Sequence, residues 1–381
     1  MSDLEPILCL WRELKAAGTD YVLATVVAVE GSSYRRPGAR MLLAQDGRRA
    51  GTVSGGCLEA EVAKRAWWMT ANGPVVEQFS TFADDGERPY GSGCGGVVSI
   101  LLERRTSAAP LLCELQKAFD RRAPLAIATA LDGTAIGYRG CAGSPSGDSL
   151  IQGGSDGEVN STLGELADLA WIERASIAKK ITIRGRIGHV WAEYLPARPG
   201  FWILGAGDDA KPLLRLAREL GWFVTVADGR SHLATRERFA AADDVRIFDI
   251  ATLPGPEFLR LDLRATDAAV VMTHSFEQDS RLLASLLCLE IAPAYIGVLG
   301  PLRRTRELLS EAARLLGRAA NDDQIDAWLA AIHAPTGIDL GADAPASIAL
   351  SILAEVQQTL ANGTGRPLRA VRANRLEFAP R

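Results

Sequence analysis

Phe201-Trp-Ile-Leu-Gly-Ala-Gly-Asp-Asp-Ala210 is the stretch on which the fold turns. Four apolar residues read as a short buried strand, Gly205-Ala-Gly207 as a tight turn, and Ala210–Leu220 as a helix by its apolar period. Trp222-Phe-Val-Thr-Val-Ala227 is then a second strand that ends on Asp228, twenty-one residues past Gly207. In that order of elements, glycines let backbone N–H groups approach a pyrophosphate at a helix start, and the later carboxylate accepts ribose hydroxyls. Further out, Ala268–Met272 and Ala294–Leu299 read as two more buried parallel strands, separated by helical stretches. Repeated strand–helix–strand units predict a Rossmann-like, doubly wound parallel sheet. Gly205, Gly207 and Asp228 are therefore candidate contacts for NAD(P) or another nucleotide. His274, in Thr273-His-Ser-Phe-Glu-Gln-Asp279, follows a strand at the carboxyl edge where such sheets bind ligands. It could contact a ligand, act as an acid/base, or help to cap the next helix. Asp208 and Asp209 sit in the phosphate turn itself, where they suit a bare helix dipole but oppose an incoming diphosphate.

Toward the N-terminus, Leu195-Pro-Ala-Arg-Pro-Gly200 is the clearest joint in the chain. The reading is an N-terminal mixed α/β domain over 1–195, a linker at 196–200, the Rossmann-like domain over 201–362 and an Arg-rich irregular tail over 363–381. In the first domain, Pro6–Ala17 reads as an amphipathic helix and Tyr21–Val29 as a β-branched strand. Met41–Ala44 reads as a strand, Asp46-Gly47 as a hairpin signal, Leu58–Met69 as a helix and Val97–Leu102 as a strand. Residues 141–164, rich in Gly, Ser and Asp, are expected to form a surface loop or hairpin tip.

The 381 residues are 48% apolar and 23% charged, ordinary values for a packed domain protein. A net charge of −4 argues against nucleic acid as a partner, since that requires an excess of Lys and Arg. The start, MSDLEPILCLW, lacks the basic segment and apolar core of a signal peptide. The most apolar stretch, Leu282–Leu302, is broken by Glu290, Pro293 and Gly297, so no membrane span is expected. Six cysteines without a CxxC pair disfavour structural zinc and a disulfide scaffold. A cytoplasmic protein is expected, and the eight tryptophans suit interface anchors of a homodimer.

Gly31-Ser-Ser-Tyr-Arg-Arg-Pro-Gly-Ala-Arg40 combines a glycine turn and hydroxyls with Arg35, Arg36 and Arg40, the groups a phosphate-bearing ligand requires. A solvated hairpin turn with surface arginines would look the same. Two cysteines occupy glycine-rich turns, Cys57 in Ser54-Gly55-Gly56-Cys57-Leu-Glu59 and Cys94 in Gly91-Ser-Gly-Cys-Gly-Gly96. At a helix start the dipole stabilises a thiolate on Cys57, although Glu59 and Glu61 work against it. The opposing reading makes each a small buried hydrophobe. No HExxH spacing, G-x-S-x-G elbow or P-loop is present, so zinc-hydrolase, serine-hydrolase and NTPase readings lack support.

Several ordered motifs together carry a resemblance. They are Ser54-Gly-Gly-Cys-Leu-Glu59, Gly93-Cys-Gly-Gly96, Gly205-Ala-Gly207 with Asp228-Gly-Arg230, and Thr273-His274 through Asp279. Tyr295–Gly300 with Arg303-Arg304 and His333-Ala-Pro-Thr-Gly-Ile-Asp339 complete the set. The chain resembles the XdhC/CoxI family, accessory proteins of xanthine dehydrogenase and carbon monoxide dehydrogenase. The resemblance implies a chaperone without turnover chemistry, which binds and protects the molybdenum cofactor (molybdopterin). It also implies support for the cofactor's sulfuration with a cysteine desulfurase as partner, and delivery to an apo-molybdoenzyme of the xanthine dehydrogenase type. By that analogy Cys57 and Cys94 are the contacts near molybdenum, with Ser54, Gly55 and Gly56 around them. Arg35, Arg36 and Arg40 suit the cofactor's phosphate on chemical grounds. Asp208 stands where family members often carry a histidine. The rival reading is an NAD(P)-dependent oxidoreductase using Gly205, Gly207 and Asp228 with His274 as acid/base, and a third is a scaffold that holds no cofactor.

Overall fold

A computed structural model describes residues 4–80, 96–145, 147, 149–153, 156–183, 186–255, 262–319 and 321–372. The chain divides into two compact units, Met1–Arg198 and Pro199–Arg381.

The first unit holds two antiparallel five-stranded sheets. The first sheet is ordered β3 (Arg49–Gly51), β2 (Arg40–Ala44), β1 (Tyr21–Gly31), β5 (Gly96–Arg104), β4 (Val75–Ser80). The second is ordered β8 (Leu150–Gln152), β7 (Arg139–Ala142), β6 (Leu125–Ala130), β10 (Arg186–Leu195), β9 (Ile177–Ile183). Residues 21–27 of β1 are all buried, and the period of two shows why. Tyr21 and Leu23 pack on helices α1 (Leu4–Ala17) and α3 (Arg105–Asp120), together with Leu125 and Ile127 of β6. Val22, Ala24 and Val26 point the other way, onto Val62 and Ala66 of α2 (Glu59–Met69). A strand covered on both faces reads as one continuous apolar run, and each fully buried Val or Leu contributes roughly 1.5–3 kcal/mol.

The second sheet repeats the plan, with Ala126, Ala128 and Ala130 packed on α4 (Gly157–Glu173). Small residues are needed there: a Cβ on Gly140 of β7 would stand 2.5 Å from the Leu163 carbonyl carbon of α4. β7 and β8 pair as an antiparallel hairpin, as one of the two readings of 141–164 has it, and helix α4 corrects the expectation over 157–164. Asp156 caps it by accepting from the amides of Glu158 and Val159, and its buried face is Leu163, Leu166, Ala167 and Ala170.

The second unit is a parallel five-stranded sheet in the order β13 (Asp244–Ile247), β12 (Phe223–Asp228), β11 (Gly200–Leu204), β14 (Ala268–Val271), β15 (Tyr295–Val298). Phe201 and Ile203 face α5 (Ala210–Glu219) and the later helix Pro345–Leu360. Trp202 and Leu204 face the opposite helical layer, which begins with α6 (Phe276–Leu287) and α7 (Leu302–Leu315). Helix α8 (Asp322–Ala330) completes that layer, so Pro345–Leu360 is α9 and the short Leu368–Arg372, within the C-terminal tail, is α10. This is the doubly wound, Rossmann-like sheet expected from Phe201–Asp228. Its strand order reverses between β11 and β14, which sets a crevice at their carboxyl ends. Among the described residues no helix is long and apolar enough to cross a membrane.

Candidate functional site

In the first unit, two turns at the carboxyl side of β1 come together. Strand β1 ends at Gly31 opposite Gly96 of β5, where the backbones approach so closely that a Cβ on Gly96 would stand 2.3 Å from the Ser32 carbonyl oxygen. The chain then folds back, with the Gly38 amide donating to Val26 O at 2.8 Å and the Ala39 amide to Arg36 O at 3.2 Å. This turn leans on residues 52–55. Arg35 donates to Thr52 Oγ1 through Nε at 2.9 Å, and the Tyr34 ring lies 3.4 Å from where a Cβ on Gly55 would stand. Tyr34 is 77% exposed. Arg36 is exposed, and its guanidinium has no acceptor among the described residues.

The second turn is built by Ser54 and Glu59, both buried. Glu59 accepts the Ser54 amide at 2.9 Å and the Ser54 hydroxyl at 2.6 Å. The Ser54 oxygen in turn accepts the amides of Gly56 at 3.2 Å and Leu58 at 3.0 Å. Burial pushes the Glu59 carboxyl up, but the hydrogen bonds from Ser54 outweigh it and hold it below the usual carboxylate range. Half-buried Cys57 lies with Sγ 3.5 Å from Ser54 Oγ. Because the hydroxyl has given its one proton to Glu59, it can only accept from the thiol. Gly56 has φ of +112° with open space where a Cβ would be, so the outer side of this turn is accessible. Glu59 and Tyr34 are the residues that pattern reading passed over as builders of the site. Glu59 stands five residues after Ser54 rather than at the capping-box spacing of three.

Arg40 points inward from β2, 6% exposed, and forms a bidentate ion pair with Glu193 of β10, Nη1 to Oε1 at 3.1 Å. Nη1 also donates to Gly38 O at 3.0 Å. Its terminal nitrogens are thus taken, and only Nε is left without an acceptor. Arg40 lines a cavity of about 390 Å³ with Leu4, Ile7, Tyr34, Arg36 and Leu195. Cys94 lies outside the described residues. Of the remaining cysteines, Cys141 is buried and Cys288 exposed. Among the described residues no three His, Cys, Asp or Glu side chains converge as a metal-holding set.

In the second unit, the carboxyl edge of the sheet is an ion-pair network. Gly205 has φ of +139°, and a Cβ there would stand 2.5 Å from Met272 O, so only glycine fits the close approach of β11 to β14. Asp228 is fully buried and accepts the Ala206 amide at 2.8 Å. Arg230 closes over it with Nε and Nη2 at 2.9 and 2.8 Å, and Nη2 also donates to Thr273 O at 2.9 Å. Burial would raise the Asp228 carboxyl; the Arg230 guanidinium and the amides of Ala206 and Arg230 hold it below the usual range instead. The carboxylate that the sequence reading has meeting ribose hydroxyls is thus engaged by Arg230 and by the Ala206 and Arg230 amides.

The turn's acids are compensated too. Asp208 takes Lys211 Nζ at 2.7 Å and Arg238 Nη2 at 2.9 Å, and Asp209 takes His274 Nε2 at 2.7 Å. Gly207 is fixed beside this pair, since a Cβ on it would stand 2.4 Å from Asp209 Oδ1. His274 adopts φ of +61° to reach Asp209 and does not cap α6, a role filled by Ser275. Arg304 donates to Asp279 at 2.7 Å. At the opposite edge Glu355 accepts from Tyr295 Oη at 2.6 Å and the Gly337 amide at 2.6 Å, with His333 Nδ1 at 3.0 Å. That cluster ties the 333–337 loop to β15 and α9.

Comparison with known proteins matches the XdhC and CoxI family over residues 14–80 and the XdhC Rossmann domain over residues 201–356. A Bacillus subtilis protein described as a probable xanthine dehydrogenase subunit is 29% identical over 347 residues, covering 89% of this chain and 92% of the relative. The Escherichia coli molybdenum cofactor insertion chaperone PaoD is 34% identical over 134 residues, 33% of this chain and 39% of that protein. A crystal structure described as a xanthine dehydrogenase from Bacillus halodurans superposes with a TM-score of 0.68 at 27% identity, covering 100% of this chain and 98% of that one. The match over 14–80 contains Arg35, Arg36, Arg40 and the Ser54–Cys57 turn; the match over 201–356 contains Gly205, Gly207, Asp228 and His274.

Proposed function

The chain belongs to the XdhC/CoxI family, and from that premise we propose that it is a molybdenum-cofactor chaperone for a xanthine dehydrogenase-type enzyme. It holds the cofactor, shields it from water, supports exchange of an oxo ligand for sulfur supplied by a cysteine desulfurase, and hands it to the apo-enzyme. The observation that carries this reading is the pair of turns in the first unit. A half-buried sulfur on a glycine turn stands beside a turn with a cavity and with a guanidinium that has no acceptor among the described residues. The chemistry of the donor set fits such cargo: a cysteine sulfur is a soft ligand for molybdenum, and guanidiniums bind phosphate. In this reading Cys57 contacts the metal end, with Cys94 as a second sulfur. Ser54, Gly55 and Gly56 leave room for the cofactor's bulk, and Arg36 with Arg35 faces the phosphate. Ser54 and Glu59 orient the turn and touch no cargo. The protein acts in the cytoplasm as a homodimer and performs no turnover of its own.

The rival NAD(P)-dependent oxidoreductase has two observations against it. Arg230 seals Asp228, and the turn's Ala206 amide, which would meet a phosphate, is spent on that same carboxylate. The test is genetic and biochemical. In a host that makes the cofactor, a xanthine dehydrogenase-type enzyme produced without this chain should fold but lack sulfurated molybdenum cofactor, and co-production should restore it. Full cofactor content without the chain would reject the reading.

A further inference from the structure

We infer that Tyr34, with the cavity it borders, is the seat of a planar heterocyclic ring carrying a phosphate ester. This rests on the cofactor reading above and names the part of the site that takes the organic half. Four observations converge on one turn. Tyr34 is 77% exposed although it is a large aromatic. Single exposed aromatics are common and mean little alone. This one, however, lies between Arg35, which is bonded to Thr52, and Gly55, where a Cβ would stand 3.4 Å from its ring. It borders the cavity of about 390 Å³, whose floor includes Leu4, Ile7 and Leu195. A guanidinium with no acceptor among the described residues, that of exposed Arg36, stands in the same lining.

An apolar floor, an aromatic at the rim and uncommitted N–H donors suit a ligand with a flat π-face and an anionic tail. Aromatic side chains bind flat rings by offset stacking, and arginine binds phosphate oxygens. Arg40 adds no net charge to the cavity, because Glu193 already neutralises it. The anionic tail therefore falls to Arg36. Cys57 stands across Gly55 and Gly56 from Tyr34, so the ring and metal ends of one ligand would be read by adjoining turns.

The test uses 6-hydroxymethylpterin monophosphate, a metal-free phosphorylated ring, titrated into the full chain while its own fluorescence is followed. The wild type should quench it on binding, and Cys57→Ala should bind it equally, since no sulfur contact is involved. Tyr34→Ala should weaken binding about ten-fold, within the range of ring-on-aromatic stacking, and Tyr34→Phe should stay within about two-fold. Arg36→Ala should erase the preference for the phosphorylated over the unphosphorylated pterin. Tyr34 is exposed, so melting temperatures should match the wild type. No quenching with the wild type, or equal affinity in Tyr34→Ala, would overturn the inference. Retention of molybdenum cofactor by wild type and Tyr34→Ala alike would sink this inference and leave the chaperone reading standing. Ring binding through Tyr34 with no retained molybdenum would do the reverse.

Discussion

Glu59 accepts both the amide and the hydroxyl of Ser54, at 2.9 and 2.6 Å, and this buried pair shapes the turn that carries Cys57. Glu59→Ala should leave the Ser54 amide buried without an acceptor, at about 1–3 kcal/mol. Denaturant unfolding should show a loss of that size, about 1–3 kcal/mol. The freed hydroxyl could then donate to the Cys57 sulfur, so iodoacetamide should label Cys57 faster than in the wild type. Unchanged stability together with an unchanged labelling rate would contradict the assignment of Glu59 as the turn's anchor.

Arg40 and Glu193 join β2 to β10 at 6% and 7% side-chain exposure. Glu193→Ala strands a buried guanidinium and should cost about 3–5 kcal/mol. Replacing both members by apolar residues of similar size, Arg40→Met with Glu193→Leu, should recover most of that loss. A single variant as stable as the wild type would show that the pair is not a structural tie.

Acid stability of the second unit should depend on Arg230. The Asp228 carboxyl titrates below its usual range, so its contribution is present above the unfolded value of about 3.9 and is lost as the pH falls through the lower folded value. Arg230→Ala removes the guanidinium that opposes burial and raises that folded value. The acid unfolding midpoint, followed by circular dichroism, should therefore move to higher pH. A midpoint that stays in place would mean that the amide bonds to Asp228 suffice alone.

These residues also mark how far the sequence could be read. Strand β11, the Gly205 turn, α5 and β12 were legible because apolar period and glycine punctuation are local signals. Helix α4 was not, because its first half is rich in Gly and Ser, and its packing depends on the alanines of β6 and on Gly140. The inward turn of Arg40 depends on Glu193, 153 residues away, which no local pattern announces. Arg230 closes on Asp228 from only two residues away, but a carboxylate at the end of the second strand carries the same local signature as a ribose contact. Tyr34 was hidden in the opposite way. It gives no periodic signal, and it stands out only once the chain folds Gly55 against it.

The most direct measurement is molybdenum and pterin content of the full chain purified without oxygen from a host that makes the cofactor, beside Cys57→Ala prepared identically. The account predicts near-stoichiometric molybdenum and pterin in the wild type, and loss of most of both from a Cys57→Ala protein of unchanged melting temperature. Empty wild-type protein, or equal content in the two, would contradict it.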